Sequence, residues 1–180
     1  MIQNAESSAD DYFQKGNTFY ATGKHENAII CYKKAIDIDP HYFKAHYNLG
    51  AILQNTGSLA AALECYTNVL NIKPDAVDAY YNIGISLRNM RFAAYKPESA
   101  AIILKLLEQN SYIRPSEIAH SIVSLLKKDP LIEKYLLQHK AIKSEKDFQN
   151  IIMDLANSPL LMRLMNLCPI PDLDIEFLLT

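Results

Sequence analysis

The side chains best placed for chemistry recur at a fixed interval. Phe13, Tyr47 and Tyr81 are 34 residues apart, and so are their neighbours Gln14, Asn48 and Asn82. An amide donates and accepts hydrogen bonds at once, so a row of amides can hold the backbone of an extended peptide without demanding a sequence. Tyrosine adds flat contact area at low entropic cost. Asn17, Tyr20, Lys44, Asn55, Arg88 and Asn89 extend the same set. The chemistry expected of these twelve residues is recognition of a protein or peptide. The plainer alternative is that the amides solvate the surface and cap local turns.

Catalysis has no comparable constellation. The chain contains no glycine-rich phosphate loop, GxSxG elbow or HExxH pair, and its five glycines are too few for a dinucleotide-binding turn. His25, His41, His46, His120 and His139 are scattered, and His46 falls on a core-lining position, so structural or solvated roles are expected for all five. Asp10 and Asp11 precede a helical run and suit a helix N-terminus better than an acid–base pair. Cys31 and Cys65 occupy equivalent places 34 residues apart, on helices expected roughly 8–10 Å from each other. A disulfide needs Cα atoms within about 7 Å, so buried free thiols are expected. No catalytic residue, metal or cofactor is expected, and the chain is read as a non-enzyme.

Composition sets further bounds. The 180 residues carry a formal net charge of −2, which supplies no basic field for nucleic acid or an anionic membrane. The N-terminus MIQNAESSADD lacks the basic and apolar regions of a signal peptide, and Lys105 interrupts the run AAIILKLL far short of the ~18 residues a membrane span needs. A cytoplasmic protein with no membrane span is the expectation.

The elements that must carry the amide row follow from the same interval. Gly16, Gly50 and Gly84 are 34 apart, and Gly23/Gly57, Ala28/Ala62, Tyr32/Tyr66, Ile38/Ile72 and Pro40/Pro74 recur with them. Each unit reads as two helices. Gly16 and Gly50 are expected to face Ala28 and Ala62 where the helices cross, with Tyr12, Phe19, Tyr32, Leu49, Leu53 and Tyr66 filling the space around them. Gly23 and Gly57 mark the turn between helices, where positive φ is easy, and Pro40 and Pro74 end the second helix. The first helix of each unit would then present the amide row along a concave groove.

This period and these residue types resemble the tetratricopeptide repeat, carried by ADDYFQKGNTFYATGKHENAIICYKKAIDIDP from Ala9, FKAHYNLGAILQNTGSLAAALECYTNVLNIKP from Phe43 and VDAYYNIGISLRNM from Val77. The resemblance implies an all-α, right-handed superhelix of antiparallel helix pairs that binds a peptide or partner helix as a scaffold. Lys15 to Asn17 (KGN) together with Asn48 resembles part of the carboxylate clamp of co-chaperone repeats. The clamp's cationic positions fall here on Phe13, Asp78 and Asn82, so no chaperone-tail clamp is expected. Asn48 and Asn82 are more similar to the asparagine row of the O-linked N-acetylglucosamine transferase superhelix, which implies a backbone-gripping mode and not that activity.

Repeats are expected over 9–42 and 43–76, with a partial one over 77–90. Arg91 then stands where a turn glycine belongs and Lys96 where the small crossing residue belongs, and RFAAYK reads as an insertion before a helix restarts at Pro97. Residues 91–180 are expected to form irregular helices, starting near Pro115, Pro130, Ser144 and Pro159, that cap the repeats. The tail SPLLMRLMNLCPIPDLDIEFLLT resembles the junction that precedes a methyltransferase or related transferase domain in bacterial repeat proteins. That resemblance implies the second reading, a non-catalytic substrate-recruitment segment of a multidomain transferase that is truncated here. The apolar end at Phe177, Leu178 and Leu179 would serve a missing downstream domain or a dimer equally well.

Overall fold

Residues 8–108, 113–138 and 153–167 are described in the computed structural model, and their regular structure is helical throughout. The helices are α1 (Ala9–Ala21), α2 (His25–Ile38), α3 (Phe43–Asn55), α4 (Leu59–Ile72), α5 (Val77–Arg88), α6 (Pro97–Glu108), α7 (Pro115–Leu126), α8 (Pro130–Gln138) and α9 (Pro159–Leu167). The chain divides into two compact units, Met1–Ser86 and Leu87–Thr180. The start of the expected helix from Ser144, together with His139, Cys168 and the apolar tail at Phe177–Leu179, lies outside the described residues, while 153–156 at its end are helical.

Helix α1 begins where Ser8 and Asp11 cap each other. The Asp11 amide donates to Ser8 Oγ at 3.2 Å and the Ser8 amide donates to Asp11 Oδ2 at 2.8 Å, which satisfies two of the orphan donors at the helix start. The same bonds, the backbone one first, hold the Asp11 carboxyl below its usual titration range. A lowered folded pKa means the cap contributes fully above the carboxyl's ordinary range and is lost as pH falls through the lowered value. Acid titration is therefore expected to raise hydrogen exchange at the first-turn amides of α1, and Ser8→Ala is expected to produce that exchange already at neutral pH. Equal exchange in parent and variant at neutral pH would refute the cap.

Gly23 and Gly57 close the turns as expected, at φ of 72° and 81°. In each turn two amides reach back to the helix end. Gly23 and Lys24 donate to the carbonyls of Tyr20 and Phe19 at 3.0 and 2.9 Å, and Gly57 and Ser58 donate to those of Gln54 and Leu53 at 3.1 and 2.8 Å. This double bond pattern needs a left-handed residue, which glycine adopts without a Cβ clash. Both turns reverse the chain, so α1 packs on α2 and α3 on α4, with α2 against α3 linking the pairs.

One expected contact is corrected. A Cβ on Gly16 would lie 2.6 Å from Tyr32 Cε1, and one on Gly50 would lie 2.9 Å from Tyr66 Cε1. The glycines make room for the tyrosine rings of the second helix, which lie nearer than Ala28 and Ala62. Tyr32 and Tyr66 are fully buried, and Tyr32 anchors a core of Phe13, Ala28, Ala35, Ala45, Leu49 and Ile52, with Tyr12, Phe19 and Leu53 against it. Burial also raises the Tyr32 phenol above its ordinary pKa, so its hydroxyl stays protonated as a donor.

In the second unit α9 packs on α6 and α7 through Leu160, Leu161 and Leu164, and α6 and α7 bury Ile103, Leu106, Leu107, Ile118, Ile122 and Leu125. Pro97, Pro115, Pro130 and Pro159 each open a helix, because the missing N–H falls where no intrahelical partner exists. Asp129 accepts from the Leu131 amide at 2.9 Å and caps the start of α8. Among the described residues no helix is long and apolar enough to cross a membrane.

Candidate functional site

A cleft of about 360 Å³ opens in the first unit between the helices that carry the amide row. Of the residues expected there, Phe13, Lys44, Tyr47 and Asn48 line it. The rest of the wall is Phe43, Val69, Lys73 and the stretch Asp75–Ala79 that leads from the fourth helix into the fifth. The sequence marks Pro74 only as the end of the second helix and assigns nothing to Lys73 or Asp75. Its one usable signal was the period, which puts this turn beside the start of the next first helix. A second hollow of about 300 Å³, lined by Asp39, His41, Tyr42, Phe43 and Lys44, adjoins the same wall.

Phe13 is mostly core. It is 8% exposed, with its ring 5.8 Å from that of Tyr32 and 5.2 Å from that of Tyr42. Its equivalent Tyr47 is half-buried, edge-on to Tyr66 at 5.7 Å, and Tyr81 is 54% exposed. Phe13 lies against Tyr42 of the turn into the next repeat, and the Tyr47 hydroxyl accepts from Asn82 of the next first helix.

The amides are partly committed within the fold. Tyr32 Oη donates to Asn17 Oδ1 at 2.8 Å, and Asn48 Nδ2 donates to the same oxygen at 3.0 Å and approaches Tyr32 Oη at 3.3 Å. In the next repeat Asn82 Nδ2 donates to Tyr47 Oη at 2.9 Å, while Tyr66 Oη donates to Gln54 Oε1 at 2.8 Å. These bonds use amide hydrogens of Asn48 and Asn82 to lock adjacent repeats in register, and they fix where the remaining amide oxygens sit. Sequence periodicity places the asparagines on one face but does not reveal such partners.

The other expected residues lie apart from the cleft wall. Gln14 and Asn55 are exposed on α1 and α3, and Tyr20, 43% exposed, has its ring tilted against that of His25 at 5.5 Å. Arg88 and Asn89 belong to the second unit, where the Arg88 guanidinium forms an ion pair with Glu117 of α7. His46 is buried and its Nε2–H donates to the Pro40 carbonyl at 3.0 Å, which ties the linker between repeats and uses the ring as a strut. His120 Nε2 lies 3.3 Å from Ser121 Oγ, but that hydroxyl is fully buried and engaged by backbone carbonyls, so the pair offers no accessible nucleophile. Cys31 and Cys65 are buried thiols, and burial pushes Cys65 up to about 11. Among the described residues no three His, Cys, Asp or Glu side chains are grouped to hold a metal.

The family profile of the TPR repeat matches residues 16–57 and 55–90. Similar solved structures include the MamA RS-1 ArsTM double mutant, 20% identical over 88% of this chain and 74% of that one, with a TM-score of 0.43. Another is YrrB, described as a TPR protein with an unusual peptide-binding site, 16% identical over 92% of this chain and 96% of that one, with a TM-score of 0.48. No curated protein matches the chain. Residues 16–90 of this chain thus carry tetratricopeptide repeats, which support a protein–protein interaction scaffold.

Proposed function

We infer that the chain is an interaction module whose first unit takes an extended peptide from a partner protein in the cleft between α1, α3 and α5. The observation that carries this reading is the cleft wall itself, where aromatic rings (Phe13, Phe43, Tyr47) stand beside an amide (Asn48) and charged groups (Lys44, Lys73, Asp75, Asp78). Apolar walls with a few fixed polar groups are the composition that buries a ligand and orients it. Tyr47 is the expected anchor, because its ring is held edge-on by Tyr66 and its hydroxyl by Asn82 before any ligand arrives. A side chain already ordered loses little entropy on binding.

The test is a displayed peptide library panned against the full chain, followed by titration calorimetry on an enriched peptide. Tyr47→Ala is expected to weaken binding about fivefold or more. Because Asn48 also braces Tyr32, Tyr32→Phe serves as the control that loosens the same network from behind the cleft wall. Full affinity in both Tyr47→Ala and Asn82→Ala would discard the cleft as the binding site.

A further inference from the structure

The second residues of α1, α3 and α5 are Asp10, Lys44 and Asp78, related by the 34-residue period and all exposed. Their charges alternate along the row. Asp10 and Asp78 need no ligand to explain them, since an acid in the first turn complements the helix dipole. Lys44 does the opposite: α3 has no acidic residue in its first turn and carries a cation where the dipole disfavours one. Among the described residues neither Lys44 nor Asp78 forms an ion pair, and both line the cleft. The other lysine on the wall, Lys73, has its ammonium 5.6 Å above the Phe43 ring. Asp10 is held in place by the Tyr42 phenol, which donates to it at 2.6 Å. A position that breaks a local stability rule without a compensating contact is where a function is expected to reside.

We propose that the cleft, together with the adjoining hollow lined by Lys44 and by Tyr42, the partner of Asp10, selects a peptide with an acidic side chain opposite Lys44, flanked by basic side chains opposite Asp78 and Asp10. This rests on the groove reading above and names its ligand. Asn48 bonds Asn17 and Asn82 bonds Tyr47, so the first helices of neighbouring repeats lie side by side, at a packed-helix separation of about 8–10 Å. A polyproline-II segment returns a side chain to the same edge every third residue, after about 9 Å. The matching register is therefore basic-x-x-acidic-x-x-basic.

The experiment pans a displayed peptide library on the full chain and on Lys44→Glu and Asp78→Lys variants. The parent is expected to enrich that register, with affinity falling as salt rises. Lys44→Glu is expected to bind the parent's peptide about tenfold more weakly, an exposed attraction being replaced by a repulsion of similar size, and to enrich a basic residue at the centre. It is also expected to melt no lower than the parent, because an acid in the first turn of α3 suits the dipole. Asp78→Lys is expected to convert only the flanking preference. Enriched peptides with no charge preference, or the same preference in Lys44→Glu as in the parent, would overturn the charge register and leave the groove standing. Enrichment of no peptide by any variant would overturn both.

Discussion

Gly16→Ala is expected to lower the stability of the first unit by about 1–2 kcal/mol, and Gly16→Leu by about 3 kcal/mol. Two opposing effects decide the sign. Alanine in place of glycine within a helix gains up to about 1 kcal/mol from backbone entropy. Against this, the new Cβ would sit 2.6 Å from Cε1 and 2.7 Å from Cδ1 of Tyr32, a separation that carbon atoms do not tolerate. The ring has nowhere to retreat, because it is fully buried and its hydroxyl is tied to Asn17 and Asn48 across two helices. Overpacking of this kind costs about 1–3 kcal/mol, so it outweighs the propensity gain.

Gly50 supplies the comparison. There the nearest atoms are Tyr66 Cε1 at 2.9 Å, Tyr66 Cζ at 3.1 Å and Cys65 Cβ at 3.2 Å, so a shift of a few tenths of an ångström relieves most of the clash. Gly50→Ala is therefore expected within about 1 kcal/mol of the parent, the two effects nearly cancelling. At about 4–8 °C per kcal/mol for a domain of this size, the order of melting temperatures resolves the two variants. A Gly16→Ala protein that melts above Gly50→Ala would mean that the helix crossing in the first repeat is misassigned. Gly50→Leu is expected to destabilise, since a branched side chain cannot pass the Tyr66 ring.

Those glycines also show how far the sequence could be read. Period alone located the turns at Gly23 and Gly57 and the helix ends before Pro40 and Pro74, because each depends on a backbone property of one residue type. It located Gly16 at a crossing but assigned Ala28 as the opposing group, since spacing gives a face and not the depth to which a neighbouring ring reaches. The amide row shows the same boundary. Asn17 and Asn48 share one face by periodicity, yet their bonds to Tyr32 join residues 15 and 16 positions apart in sequence. Such pairing depends on how two helix pairs settle against each other. The wall contributed by Lys73 and Asp75 is not legible for a related reason: a turn marked only by the proline that ends a helix has no face to assign.

Loss of the Ser121 hydroxyl is the other large effect expected, and it concerns the place where the repeat pattern stops. α1 and α3 end in glycine turns whose amides satisfy the last carbonyls, but the corresponding place after α5 is Arg91, so that device is missing. The carbonyls are satisfied from elsewhere in the second unit: Ser121 Oγ, fully buried on α7, donates to the Leu87 carbonyl and lies 2.6 Å from the Met90 carbonyl. Ser124, one turn on, accepts from the Phe92 amide at 3.0 Å and continues the bracing of the irregular segment. One hydroxyl thus caps the end of α5 from a distant helix, and its removal leaves the Leu87 carbonyl to the Met90 amide, 3.3 Å away, and takes the hydroxyl from beside the Met90 carbonyl. Ser121→Ala is expected to cost about 1–3 kcal/mol. Ser124→Ala is expected to cost less, because Ser124 is only half-buried and water can replace its hydroxyl. Hydrogen exchange separates this from general loosening: the amides of Met90 and Phe92 are expected to lose protection in Ser121→Ala while those of α1 and α3 keep theirs. If Ser121→Ala instead melts within about 0.5 kcal/mol of the parent, the change is no larger than an ordinary surface substitution and the capping role is wrong.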